Sequence, residues 1–287
     1  MKKNKYWLGA ILAIILLTAM TIPTAKWMTS NNKTMSQRRQ SKMTPLIMIP
    51  GSSATANRFD GLIKILNKTK DQKHSVLRIT VNENNTMTFD GSISKGDEEP
   101  IIVVGFKNNS DGYTNIKRQA DWFDQAFYQI MQDFHFHKFK AFGHSNGGLV
   151  WTYWLEHYYS SYSSEIKVTK LMTLGSPYNF KETSYTMKTQ MFSDFLKYKK
   201  NLPKSLIVYS LLGGKTYTSD GLVPEGSVLA GKYIFQNQVK NYMSINVTGT
   251  DAQHSKLVEN PQVVKLIKEY LLKNNNRRDL MRKGPRN

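Results

Sequence analysis

An α/β fold, with a mainly parallel sheet covered by helices on both faces, is the class that this sequence predicts. Short apolar runs alternate with amphipathic stretches of helical period along most of the chain. Several runs, such as "PLIMIP" and "IIVVGF", are apolar throughout, as in strands that are buried on both faces. A chain of 287 residues with 40% hydrophobic residues is also long enough for one sizeable α/β domain.

The predicted elements follow one another in a regular order. Residues 45–53 predict a buried strand that ends in a Pro-Gly turn, and "RFDGLIKILNK" predicts a helix. Aromatic and aliphatic residues at helical spacing predict a long amphipathic helix in "DGYTNIKRQADWFDQAFYQIMQDFHF". The remaining predicted strands lie in "HSVLRITVNEN", "TMTFDGSIS", "EEPIIVVGFKNN", "KFKAFG", "VTKLMTLGSP", "SLIVYSLLGG" and "NYMSINVTGT", and the remaining helices in "GGLVWTYWLEHYY" and "PQVVKLIKEYLLK".

Residues 1–26 predict a membrane anchor or an export signal. Lysines precede an uncharged stretch, Tyr6 to Ala25, whose length of about 20 residues suffices to span a bilayer. No good cleavage site follows, so an uncleaved anchor is favoured over a cleaved signal. Residues 27–43 predict a flexible basic linker, and residues 44–273 the folded domain. The protein is therefore expected to be exported, either anchored facing outward or secreted after cleavage.

The positive charge is concentrated at the two ends of the chain. The formal net charge is +19, and residues 1–42 hold eight Lys or Arg and no acid. Residues 274–287 form a basic C-terminal tail. For an exported protein, anionic lipids or cell-wall polymers are the expected partners of such tails, and no nucleic-acid partner is expected.

The absence of cysteine excludes three kinds of site from this protein. Without Cys the chain has no disulfides, no thiolate metal site and no Cys nucleophile. His135 and His137 have the spacing of a metal pair but no obvious further ligand, so they are interpreted as part of a solvated helix end. We expect neither a metal nor an organic cofactor.

Ser145 is the candidate nucleophile. It lies in "GHSNG", where Gly143 and Gly147 would allow a strand to reverse sharply into a helix and project the serine from the turn. The alternative is a structural turn without chemistry. His144, directly beside the serine, is not the expected base, because adjacent residues on a sharp turn point apart.

A base and an acid follow Ser145, each after its own predicted strand. His254 lies in the polar loop between the last strand and the C-terminal helix, and His74 and His157 fit less well. Asp220 lies in a Gly-rich loop after an apolar strand, and it is preferred to Asp194 and Asp251. An activated serine needs this combination of a base and a group that orients the base. The alternatives are a capping histidine and an ordinary Asp-Gly turn.

The oxyanion donors are expected on the backbone. The N–H that follows the nucleophile belongs to Asn146, and the loop after the first strand offers the N–H of Ser52, with Ser53 as the alternative.

Residues 178–202 predict either a helix that covers the core or a lid over the site. In the second interpretation Tyr178, Met191 and Phe192 contact the substrate, together with His144 and Ser53.

These segments resemble the α/β-hydrolase superfamily and are most similar to the DUF915-type group of proposed cell-surface hydrolases of Gram-positive bacteria. The similarity extends over about 45–273 and includes "PLIMIPGSSATANRFDGL", "KAFGHSNGGLVWTYWLE", "LMTLGSPYNF", "SDGLVP" and "HSKLVENPQV". The resemblance implies the α/β-hydrolase fold and a catalytic triad of Ser145, Asp220 and His254.

The expected function is hydrolysis of a small-molecule or lipid ester through an acyl-enzyme. Two alternatives stay open: a surface binding protein that has kept the fold without turnover, and an acyltransferase that passes the acyl group to an acceptor other than water.

Overall fold

The computed structural model describes residues 3–68, 73–216, 218–249 and 251–272. These fall into two compact units, divided after Ser41. The predicted basic tail, 274–287, lies outside the described residues.

The N-terminal unit consists of one helix, α1 (Lys3–Gln40). In the described part of the chain, no helix combines the length and the apolar character that a membrane span requires. Helix α1 also continues through most of residues 27–43, where the sequence pattern predicts a flexible linker. That stretch contains no Gly or Pro, the two residues that oppose a helix most, so its composition does not prevent α1 from continuing through it.

The second unit is built on one eight-stranded sheet with the strand order β3-β2-β4-β1-β5-β6-β7-β8. Among the paired strands of the described residues, only β2 and β3 are antiparallel, which confirms the predicted mainly parallel sheet. The strands are β1 (Leu46–Ile49), β2 (Val76–Val81), β3 (Met87–Ser92), β4 (Ile101–Phe106), β5 (Lys138–His144), β6 (Lys167–Leu174), β7 (Ile207–Gly214) and β8 (Asn241–Thr248).

Helices cover both faces of this sheet. Strand β1 is buried on both sides, with Ile47 and Ile49 in one apolar core and Leu46 and Met48 in the other. The core of Ile47 is completed mainly by α3 and α4, and the other by α2 and α8. The helices are α2 (Asp60–Leu66), α3 (Tyr113–Phe134), α4 (Asn146–His157), α5 (Gln190–Tyr198), α6 (Glu225–Leu229), α7 (Gly231–Phe235) and α8 (Pro261–Leu266).

Aromatic packing fixes α4 against the sheet and α3. The rings of Trp151 and Trp154 lie edge-on to Phe123 of α3, with centroids 4.5 and 5.3 Å from its ring. The indole N–H of Trp151 donates to the carbonyl of Phe142 in β5 at 3.0 Å. Because these contacts fix α4 against α3 and the sheet, they also fix the turn that leads into α4.

Helix α4 also buries a carboxyl group that has no counter-ion in the described structure. Glu156 is 3% exposed, and neither oxygen of its side chain has a hydrogen-bond partner among the described residues. Burial, and then the charge of Asp194, raise the pKa of Glu156 well above its usual value. The folded protein therefore keeps this proton at a pH where the unfolded chain has lost it.

We expect Glu156→Gln to stabilise the protein at alkaline pH. Stability of the wild type falls as the pH rises from the unfolded pKa of about 4.3 to the raised folded pKa, by up to about 1.4 kcal/mol per pH unit. Glutamine has nearly the same shape and does not ionise. Melting temperatures measured from pH 4 to 9 should converge at the acidic end, where both side chains are neutral, and separate above it. Parallel curves would show that Glu156 does not titrate in this way.

Candidate active site

Ser145 lies at a sharp, strained turn between β5 and α4. Its backbone angles, φ 54° and ψ −126°, are unusual for a residue other than glycine, and such strain is concentrated at functional sites. The N–H of Ser145 donates to the carbonyl of Leu174 at 2.8 Å. A side chain at Gly147 would place its Cβ 2.0 Å from the carbonyl oxygen of Ile49, so only glycine fits there. The predicted strand-turn-helix context of Ser145 is therefore present.

Asp220 and His254 form a buried hydrogen-bonded pair. Asp220 follows β7 and is 2% exposed, and its Oδ2 accepts a hydrogen bond from Nδ1 of His254 at 2.6 Å. Its Oδ1 accepts from the N–H groups of Leu222 (3.0 Å) and Val223 (2.8 Å). Every oxygen of the carboxylate thus has a donor, which holds the carboxylate still. Because Nδ1 carries the proton, Nε2 of His254 has a free lone pair.

The loop that carries His254 is attached directly to the loop of Asp220. The N–H of His254 donates to the carbonyl of Asp220 at 2.9 Å. Gly175, at φ 59°, lies against this pair, and a Cβ there would lie 3.1 Å from Nδ1 of His254 and 3.2 Å from Oδ2 of Asp220. The sequence "LGSP" gave a signal for Gly175, because a glycine directly after a strand indicates an unusual turn.

Ser145 and His254 line one cavity of about 570 Å³, which also contacts the loop after β1. Gly51 in this loop lies so close to the turn that a Cβ would come within 2.7 Å of the Cβ of Ser145. The structure therefore brings the predicted nucleophile and base to the same cavity, with Asp220 behind the base.

The backbone donors near Ser145 differ in their existing bonds. The N–H of Ser53 donates to the carbonyl of Asn109 at 2.9 Å and is thus already used. No backbone acceptor is found for the N–H of Ser52 within the described ranges, and Ser52 lines the cavity beside Ser145. Asn146 is the first residue of α4, where N–H groups have no partner within the helix. Of the two candidates in the loop, Ser52 is the better placed to donate.

A second cavity, of about 410 Å³, is also lined by Ser145. Ser52, Ser145 and Leu222 line both cavities, so the serine lies where they meet. Residues of the predicted lid segment, 178–202, contribute to this second cavity at Phe180, Lys181, Glu182 and Thr189.

The structure corrects the prediction that Tyr178, Met191 and Phe192 contact the substrate from a lid. Tyr178 is fully buried and its hydroxyl donates to Thr173 Oγ1 at 3.2 Å, while Met191 and Phe192 are at most 1% exposed. None of the three lines either cavity. Their apolar faces pack into the core, where the ring of Tyr178 contacts Phe195 and Phe235. This is the geometry of the alternative, a helix that covers the core.

Asp111 belongs to the site, although the sequence pattern does not predict it. Its Oδ1 accepts from the side-chain amide of Asn146 at 2.7 Å and from the N–H of Gly112 at 2.7 Å. It lines the second cavity and holds the side chain of the residue that follows Ser145. Its segment, "NNSDGY", has the composition of an ordinary turn, so no sequence signal separated it from other loops.

No group of three or more His, Cys, Asp or Glu residues that could hold a metal ion is found where the chain is described.

His144 contacts the base without being a base candidate itself. Its Nε2 donates to the backbone carbonyl of His254 at 3.2 Å, and the two rings are 4.8 Å apart. Its Nδ1 is buried without a partner among the residues that the structure describes. Burial, followed by the neighbouring His254 and Arg58, lowers the pKa of His144 well below its usual value. The side chain is therefore held neutral.

We expect His144 to make the fold acid-sensitive. As the pH falls below about 6.5, the pKa of histidine in the unfolded chain, His144 takes up a proton in the unfolded chain but not in the folded protein. The free energy of unfolding therefore falls by up to about 1.4 kcal/mol per pH unit. His144→Gln lacks this group. Its melting temperature should fall less steeply than that of the wild type between pH 6.5 and 5. The difference between the two proteins at pH 8, where His144 is neutral in both states, measures the effect of the substitution on packing. An equal slope would contradict the expectation.

The comparisons with known proteins agree with this architecture. Residues 33–274 match the family described as α/β-hydrolases of unknown function, DUF915. A solved structure of a proposed cell surface hydrolase from Lactobacillus plantarum WCFS1 is 49% identical, covers 84% of this chain and 97% of its own, and superposes with a TM-score of 0.75. A search of curated proteins finds no match.

Two further solved structures have the same fold at lower identity. The product of gene lin2722 from Listeria innocua is 26% identical over 81% of this chain and 95% of its own, with a TM-score of 0.72. A lipase-esterase related protein from Clostridium acetobutylicum ATCC 824 is 13% identical over 80% and 95% of the two chains, with a TM-score of 0.50, and shows the fold alone. The match over 33–274 places most of the chain in one family, and the chain belongs to the DUF915 family of α/β-hydrolases.

Proposed function

We propose that the protein is a serine hydrolase that cleaves carboxylic esters through an acyl-enzyme. The observation that supports this most is the buried pair of Asp220 and His254, whose histidine lines the same cavity as Ser145. The carboxylate fixes the tautomer in which Nε2 is free to accept a proton, as nucleophilic catalysis by serine requires.

In the first half-reaction Oγ of Ser145 attacks the ester carbonyl carbon, and its proton passes to Nε2 of His254. The N–H groups of Ser52 and Asn146 bind the oxyanion of the tetrahedral intermediate. The carbon–oxygen bond to the alcohol then breaks, and the imidazolium returns the proton to the leaving alkoxide. Asp220 stays ionised and stabilises the imidazolium throughout.

In the second half-reaction water takes the place of the alcohol. His254 accepts a proton from the water as it attacks the acyl-enzyme, and the carboxylic acid leaves as the proton returns to Oγ of Ser145. The two cavities that meet at the serine support an ester substrate, since its acyl and alcohol parts lie on opposite sides of the reacting carbon.

A series of p-nitrophenyl esters of increasing acyl length tests this function. Wild type should hydrolyse at least the shorter esters with saturation kinetics and a defined optimum of chain length, and Ser145→Ala should hydrolyse none above background. Added alcohols report acyl transfer as new esters among the products. A flat background profile for both proteins would contradict hydrolysis and favour a surface binding protein.

We also propose that the protein acts on the outer side of the cell membrane. The proposed cell surface hydrolase of L. plantarum is 49% identical to it, and the lysines before the uncharged stretch Tyr6 to Ala25 are typical of an exported chain. Protease added to intact cells should degrade the protein and spare a cytoplasmic marker. Protection of both would contradict this location.

A further inference from the structure

The larger cavity beside Ser145 has an unusual distribution of charge. Arg58 is the cation among its described lining residues, and no carboxylate lines it. The other polar lining groups outside the predicted triad and His144 are uncharged hydroxyls and an amide, those of Ser52, Ser53, Thr55, Asn57 and Ser255. A wall of this kind offers hydrogen-bond donors and one positive charge to whatever enters.

Arg58 itself is held at the wall without a contacting acid. It is half-buried in the turn before α2, and its Nη2 donates to the backbone carbonyl of Ser255, the residue after His254. No ion pair of Arg58 is found in the part of the chain that is described. Burial lowers the pKa of Arg58, and the charge of Glu259 offsets this in part. A partly desolvated guanidinium of this kind gains most from an anion that supplies the missing partner.

The second cavity differs from the first in its charges and in its apolar lining. Pro177, Phe180 and Val223 give it an apolar wall that the first cavity lacks. Its charged groups are one cation, Lys181, and two carboxylates, those of Asp111 and Glu182. An acyl chain suits this wall better than the polar wall of Arg58. An ester bound across Ser145 would thus direct its acyl part to the second cavity and its alcohol part towards Arg58.

We propose that Arg58 determines substrate specificity by binding an anionic group, a phosphate or a carboxylate, on the alcohol part of the ester. This inference rests on the proposed esterase function and names its substrate class. Both anions accept the paired N–H groups of a guanidinium, which is why arginine recognises them in preference to neutral groups. The hydroxyls of Ser53 and Thr55 are on the same wall and can complete the contacts.

Two matched ester pairs test the role of Arg58. The phosphate pair is 1-butyrylglycerol 3-phosphate and 1-butyrylglycerol, and the carboxylate pair is the butyryl ester of 3-hydroxypropanoate and propyl butyrate. For each pair the measured quantity is kcat/KM of the anionic ester divided by that of the neutral ester. Wild type should prefer the anionic member of at least one pair, and Arg58→Gln should lower that ratio by about 10- to 100-fold, the usual range for a charged hydrogen bond.

Lys256→Gln is the matched control, because it removes a positive charge from the neighbouring loop. Lys256 is 61% exposed and lies outside the cavity wall. It should keep the wild-type ratio, and Arg58→Lys should give an intermediate ratio because lysine lacks the planar fork. The pair that responds identifies phosphate, carboxylate or both as the bound group.

The inference is overturned if Arg58→Gln lowers kcat/KM of both members of each pair equally, since Arg58 would then only hold the loop of His254. It is also overturned if wild type has no anionic preference. Failure of the esterase proposal looks different, because wild type and Ser145→Ala would then be equally inactive on all four esters.

Discussion

Replacing Ser145 with alanine is expected to lower kcat for ester hydrolysis by about 10⁶-fold, the loss that follows removal of a triad nucleophile. The variant keeps Asp220, His254 and the backbone donors, but no oxygen remains to form the acyl-enzyme. Rates with p-nitrophenyl butyrate, corrected for the spontaneous reaction, measure the loss.

Ser161→Ala is the control for this substitution, because Ser161 is an exposed serine at the surface of the same unit. It should retain full activity. Melting temperatures should show that Ser145→Ala is folded, since alanine and serine are similarly strained at φ 54°. A folded Ser145→Ala protein that keeps more than about a tenth of the wild-type rate would contradict its role as nucleophile.

Asp220→Asn is expected to lower kcat by about 10⁴-fold with little change in the backbone. The N–H groups of Leu222 and Val223 hold the oxygen of the asparagine amide in the position of Oδ1. The amide NH₂ then faces Nδ1 of His254 and donates to it. The imidazole must therefore carry its proton on Nε2, where it can no longer accept the proton of Ser145.

Asp251→Asn separates this effect from a general loss of negative charge near the histidine. Asp251 lies three residues from His254, is half exposed and has Lys256 Nζ at 3.7 Å from its Oδ1. We expect the Asp251 variant to retain wild-type kcat to within about twofold, as for most surface changes. If the two variants lose activity equally, Asp220 does not orient the base in the proposed way.

The strands, the turn at Ser145 and the positions of Asp220 and His254 could be predicted because each depends on local order along the chain. An unbroken apolar run predicts a buried strand. The loop after the carboxyl end of such a strand lies at the edge of the sheet where ligand-binding and active sites form. Asp220 and His254 each follow such a strand, so their order alone indicated a common edge. The hydrogen bond between Asp220 and His254 could be seen only in the structure.

Other features depend on contacts that a pattern does not reveal. The amphipathic stretch with Met191 and Phe192 has the same period whether its apolar face covers a site or the core, and only the rings around Tyr178 decide between the two. Arg58 and Asp111 are far from Ser145 in sequence, in segments with ordinary turn and helix composition. Their place in the cavities follows from the sheet order, which puts β1, the strand before Arg58, beside β5, and puts β4, the strand before Asp111, beside β1.

Labelling with a fluorophosphonate, followed by mass spectrometry of the digested protein, tests most directly whether Ser145 is an activated nucleophile. We expect one phosphonyl group, carried by the peptide that contains Ser145. The label should be absent from Ser145→Ala and form far more slowly in His254→Ala, which lacks the base. Equal labelling of wild type and Ser145→Ala, or a label on another residue, would show that Ser145 is not the nucleophile.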